Sequence, residues 1–175
     1  MTPSLTEDQV YAALGGFLEA ILTGVDVVRG QVNRVPMPSG PNWISMQAMG
    51  RDQMATTERS YTPNLAPAPA VGSAQISRST VLHFNLDVYG PAGADNAQAI
   101  TTLFADDYGA DFFRARGLGA LYCEQPAQMP LIAGEQQYIG RWMIRCALHG
   151  NIVFGLPQEF ADTVITTLSE ITHGI

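Results

Sequence analysis

Few side chains in this 175-residue sequence are suited to chemistry, and their spacing does not gather them into a set. The histidines number three, His83, His149 and His173. His83 and His149 fall on the polar side of alternating segments, which makes them candidate neighbours in space. A solvated or interface histidine is the simpler reading of each. Cys123 and His149 can be set side by side as nucleophile and base, but nothing places a third group to orient the base. Asp106, Asp107 and Asp111 offer carboxylates near a helix end. On a helix 107 and 111 share a face while 106 points elsewhere, so they read as solvated acids. Gly-x-Ser-x-Gly, His-Glu-x-x-His, Cys-x-x-Cys and phosphate-loop patterns are all missing from the sequence. Gly15-Gly16 lies inside a helix and matches no nucleotide fingerprint; it reads as a place for close packing. The sequence therefore predicts no enzyme, no catalytic, cofactor-binding or metal-ligating residues, and no cofactor.

The totals point the same way. Hydrophobic residues make up 46% of the chain, enough for a real core, while 14% are charged, low for a soluble monomer. A surface sparing in charge suits one that something else covers. All nine cationic residues are arginine, and the net charge is -7. That balance argues against free nucleic-acid binding, which needs a basic stripe to displace counterions. It is compatible with a wall past which DNA slides. Met1–Glu7 lacks the apolar core of a secretory leader, and no stretch approaches the roughly 20 apolar residues of a membrane span. Cys123 and Cys146 suit a reducing compartment as small buried thiols.

The elements that would position these groups read as α+β: an antiparallel, partly mixed sheet flanked by about three helices, in one domain spanning 1–175. Thr6 and Gln9 form a capping box for a first helix carrying Val10, Leu14, Phe17, Leu18, Ile21 and Leu22 at helical spacing, with Gly24 ending it. Val25–Arg29 and Trp43–Met49 read as strands, and Asp52–Tyr61 as a third. Between the first two, Gly30–Asn42 holds Pro36, Pro38 and Pro41 and is irregular. Thr62–Ala74, with Pro63, Pro67 and Pro69, is a second long loop, extending to about 78.

Ser79–Tyr89 is the clearest strand, with Leu82, Phe84, Leu86 and Val88 opposed to His83, Asn85 and Asp87. Asp95 is expected to cap a second helix through Phe104, with a short helix at Asp111–Arg116 and a strand at Leu121–Glu124 following. Gln136–Phe154 reads as one bent strand, or two broken at Gly150. On it Tyr138, Trp142, Ile144, Cys146 and Leu148 oppose Arg141, Arg145 and His149. Pro157 is expected to open a last helix with Phe160, Val164, Ile165, Leu168 and Ile171 as its stripe.

Several stretches resemble one known family. The run Arg29-Gly30-Gln31-Val32-Asn33-Arg34-Val35-Pro36-Met37-Pro38-Ser39-Gly40-Pro41 resembles the opening loop of phage neck terminator proteins, a group related to tail terminators. Asp87-Val88-Tyr89-Gly90-Pro91, Asp106-Asp107-Tyr108-Gly109 and Leu121-Tyr122-Cys123 are similar as well. The most specific is Pro130-Leu131-Ile132-Ala133-Gly134-Glu135-Gln136-Gln137-Tyr138 through Arg141-Trp142. The likeness runs in order from about Phe17 to Phe160. It implies a virion protein assembled in the host cytoplasm, a homo-oligomeric ring, of six by expectation, that ends the tail tube and offers a docking face to the head connector or stopper. The implied partners are the tail tube protein, the connector and a tail sheath where one exists, with DNA passing through unbound and no membrane involved.

A head-to-tail ring needs two different patches per subunit. The two long loops are the expected suppliers, with Arg34, Arg51, Arg59, Pro36, Pro38, Pro63, Pro67 and Pro69 as interface residues and the arginines forking onto carboxylates of the next copy. A head-completion stopper or adaptor is the alternative within virions. Outside them, a small ligand-binding module or hydrolase is the other reading, and an apolar pocket with convergent, strongly shifted titrating groups would mark it.

Overall fold

The computed structural model describes residues 3–31, 38, 40–63, 71–129, 131–133 and 137–159, without the side chains of 71, 131–133 and 137–139. Helix α1 (Glu7–Ile21) starts where its cap dictates: the Gln9 amide donates to Thr6 Oγ1 at 3.3 Å and the Thr6 amide to Gln9 Oε1 at 2.8 Å. Its stripe of Val10, Leu14, Phe17 and Leu18 is buried, and Gly15 lets it approach the sheet. A Cβ there would stand 3.4 Å from Met46 Cε.

The chain continues through β1 (Asp26–Arg29), β2 (Trp43–Gln53), β3 (Glu58–Thr62), β4 (Val71–Tyr89), α2 (Gly93–Phe104), α3 (Asp107–Arg114) and β5 (Leu118–Cys123). It ends its described part with β6 (Ala127–Gln128), β7 (Leu131–Ala133), β8 (Gln137–Ile139) and β9 (Arg141–Glu159). Seven strands form a mixed sheet ordered β1-β2-β4-β9-β5, with β3 beside β4 and β6 beside β9. Only β1–β2 is parallel; the other pairings in the sheet are antiparallel. The fold is α+β with an open sheet, as the strand–helix alternation predicted.

Leu82, Phe84, Leu86 and Val88 of β4 join Ile144, Cys146 and Leu148 of β9 in the core under α1, α2 and α3. Phe17 sits at its centre, with ring centroids 5.9 Å from Phe104 and 5.0 Å from Phe113. The reverse face of β4 is polar but closely packed: Asn85 and Asp87 are only 6% and 8% exposed.

Several boundaries differ from expectation. Residues 71–78, read as part of a loop, belong to β4. They are held on one side by β3 and on the other by β9, and their Ser/Gln/Arg content hides a strand whose stability comes from pairing rather than periodicity. Asp52–Tyr61 is not one strand; β2 runs on to Gln53, and Met54–Thr57 separates it from β3.

Gly150 does not break β9. A Cβ there would come within 2.7 Å of Leu5 Cδ2, which would have to shift. Pro157 does not open a helix but lies in β9 opposite Ser73. Ser4 exchanges hydrogen bonds with both backbone groups of Val153, so odd residues of this stretch point their backbone away from β4. Proline at 157 therefore removes no ladder bond. Phe160, Val164, Ile165, Leu168 and Ile171 lie outside the described residues.

Asp95 stands within the first turn of α2 rather than capping it, and Asp106 is the side-chain cap of α3, accepting from the Tyr108 amide at 3.0 Å.

Candidate functional site

His83 and His149 are each taken up by different neighbours, and His173 lies outside the described residues. His83 lies 2.9 Å from Asp52 Oδ2 and 3.5 Å from the Tyr122 hydroxyl. His149 meets Ser79 Oγ at 2.7 Å. The register Val81↔His149 and His83↔Ala147 puts both histidines on the polar face, as expected, yet they have separate partners. Among the described residues no carboxylate joins the Ser79–His149 pair to orient a catalytic imidazole. Cys123 stands opposite Cys146 on the helix-covered face, so the sheet itself separates it from His149. Burial pushes the Cys123 thiol up to about 12 and the Cys146 thiol well above its ordinary value, the reverse of an activated nucleophile. Asp111 binds Arg114 at 2.6 Å. Among the described residues no three His, Cys, Asp or Glu side chains could share a metal ion.

What the structure does build is a set of edges and corners. At one corner Trp43 stacks on Tyr89 with centroids 3.8 Å apart, and Arg141 reaches Asp87 Oδ1 at 2.9 Å. Asn85 Nδ2 donates to the same carboxylate oxygen at 3.1 Å. Burial raises the Tyr89 phenol, with Asp87 adding to the effect and Arg141 opposing it. Gly90 turns the chain at φ +107°, where any Cβ would run into the Pro41 carbonyl and Asn42. The Asn42 side chain accepts from the Ala92 amide at 3.0 Å. This corner thereby fastens one end of the 30–42 loop to the sheet. Sequence reasoning missed the Asp87–Arg141 pair; the only signal was one charged residue at the turn end of each long strand.

Along the β2 side, Arg29 holds Glu7 and Asp8 at 2.8 and 2.6 Å and lies 4.0 Å over the Tyr11 ring. Hydrogen bonding to Asp8 raises the Arg29 pKa further. Arg51 approaches Glu7 at 3.5 Å, and Arg59 lies beside Tyr61, its Nη1 3.3 Å from the hydroxyl. Of the expected interface residues, Arg51 and Arg59 are exposed on β2 and β3, both along β4, with Pro63 exposed just beyond and Pro38 half-buried. Arg34, Pro36, Pro67 and Pro69 lie outside the described residues.

Apolar side chains are also left in solvent here: Met49 is 60% and Met54 58% exposed, with Leu121 at 40% and Tyr122 at 46% on the opposite strand β5. Such exposed apolar groups mark contact surfaces when they collect at an edge.

Exposed apolar and arginine side chains along the strand edges are what this arrangement presents to solvent. No described helix is long and apolar enough to cross a membrane. No curated protein matches the chain. The family model for phage neck terminator proteins matches residues 8–172, and the chain belongs to that family, whose place is the neck of the virion.

Proposed function

We propose that this protein is a non-enzymatic, single-domain ring subunit at the top of the tail tube. The ring, of six copies, ends tube polymerisation and joins the tail to the head connector. The observation that carries this reading is the family match over residues 8–172, and three features support it. Among the described residues His83 and His149 have local partners, and burial holds the Cys123 and Cys146 thiols protonated. Exposed apolar and arginine side chains gather at sheet edges. The charge of -7 per copy, roughly -42 for six, suits a channel that repels phosphate while DNA passes. Arg51 and Arg59, with Arg34 and the prolines 36, 38, 63, 67 and 69, contribute to contacts with neighbouring subunits, the tail tube protein and the connector, and with a sheath where the tail has one.

The test is mass by light scattering, for the protein alone and after mixing with tail tubes of its own phage. A six-fold ring, free or formed on tube ends, is expected. A monomer indifferent to tubes overturns the proposal and directs attention to the head-completion stopper role.

A further inference from the structure

Among the described residues the sheet has two different unpaired edges, β2 (beyond its pairing with β1) and β5, and both carry a β-bulge. On β2 the register slips between Ala48 and Gly50, leaving Met49 as the extra residue. On β5 it slips between Ala120 and Tyr122, leaving Leu121 as the extra residue. Bulges at sheet edges redirect side chains, and these two extra residues are large, apolar and 60% and 40% exposed. An apolar side chain exposed at each edge would gain free energy from a covering surface.

Backbone directions can be followed across the sheet. The Met46 carbonyl accepts from Gly30, so Met46 and Ala48 point their backbone outward from β4, and past the bulge Arg51 and Gln53 do so. Ala48's amide is already taken by the Tyr11 hydroxyl at 2.8 Å. On the other edge Glu124 donates inward to Arg145 at 2.7 Å, so the outward groups are those of Cys123 and Ala120. No described residue pairs with the outward backbone of Arg51, Gln53, Ala120 or Cys123.

We infer that β2 around Met49–Gln53 and β5 around Leu118–Cys123 are the two complementary patches by which successive copies of this chain join, extending one sheet into the next. The inference rests on the ring reading and names its contact. Three consecutive antiparallel steps, β2–β4, β4–β9 and β9–β5, leave β2 and β5 running in opposite directions. A rotation that brings the β5 edge of one copy against the β2 edge of the next therefore makes an antiparallel pair, the strand-addition geometry of edge recognition. The two edges differ, so the contact is heterologous, the kind that makes a ring when its rotation closes.

The test compares wild-type protein with Met49→Lys, Leu121→Asp and the double variant, each checked for folding by urea denaturation and for mass with and without tail tubes. Each single change should lower ring yield about tenfold or more at equal concentration, and the double variant, which sets Lys against Asp across every contact, should recover most of it. Wild-type protein that forms no ring under either condition defeats the ring reading itself. A wild-type ring that both single variants form equally well, or a folded double variant with no recovery, overturns the edge assignment alone. Hydrogen exchange on the wild type gives a variant-free check: amides of Arg51, Gln53, Ala120 and Cys123 should gain protection on ring formation, and unchanged exchange at both edges overturns the inference.

Discussion

Cys123 and Cys146 are cross-strand partners at a non-hydrogen-bonded position of the β5–β9 ladder, and both are free thiols. At such a position paired residues stand closest, with Cα atoms about 4.5 Å apart. Nearness does not make them reactive, because burial, the larger influence on both, holds them protonated.

Thiol alkylation should therefore be slow. At pH 8 iodoacetamide is expected to label the folded protein far more slowly than the urea-unfolded chain, since the thiolate is the attacking species. The folded state also binds more protons than the unfolded one between the ordinary thiol range near 9 and about 12, so stability should fall as pH rises through that interval. Rapid labelling of both cysteines in the folded protein would contradict the burial.

The Asp87–Arg141 pair ties the ends of the two longest strands, and the Asp87 side chain is only 11% exposed. Arg141→Ala leaves that carboxylate without its cation and should cost about 1–3 kcal/mol of stability. The check is a lowered urea midpoint with an unchanged slope.

Gly90→Ala tests the corner. The left-handed φ of +107° and the contact with Pro41 and Asn42 leave no room for a methyl group, so a loss of about 1–3 kcal/mol is expected. For a chain of this length the melting temperature should drop by roughly 2–4 °C per kcal/mol. An unchanged melting temperature would mean the corner relaxes freely.

Phe17→Ala removes the ring around which Phe104, Phe112 and Phe113 pack and should cost about 3–5 kcal/mol. Calorimetry or urea unfolding would show it.

Arg51→Glu should behave differently. Its ion pair with Glu7 is long at 3.5 Å and half in solvent, worth less than about 1 kcal/mol, so the monomer should melt nearly as before. Assembly on tail tubes, measured by co-sedimentation, should weaken. Unimpaired assembly would remove Arg51 from the contact.

Elements that bury one face were legible from residue types alone. Thr6 and Gln9 located α1, and the alternation Leu82, Phe84, Leu86, Val88 located the central strand and its inward face. The early part of β4 was not legible because only Ala74 and Ile76 alternate with Ser73, Gln75 and Ser77, too weak an apolar pattern; that stretch is a strand because two neighbours supply its hydrogen bonds. Pro157 was misread for a related reason. Proline favours a first helical turn and an outward-facing edge position alike, and only the pairing of Val153 with Ser4 decides between them. Candidate contact residues fared unevenly. Arg51 and Arg59 were visible as arginines beside loops, whereas Met49 and Leu121 stand out only once the bulges reveal them.

Pro157 has a consequence for the outer side of β9. Any strand that tried to zip onto the outer side of β9 from Val153 onward would lose its next-but-one donor, since proline has no amide hydrogen. Edge-to-edge stacking through this stretch is disfavoured at Pro157, one of the ways a sheet edge is kept from templating aggregation.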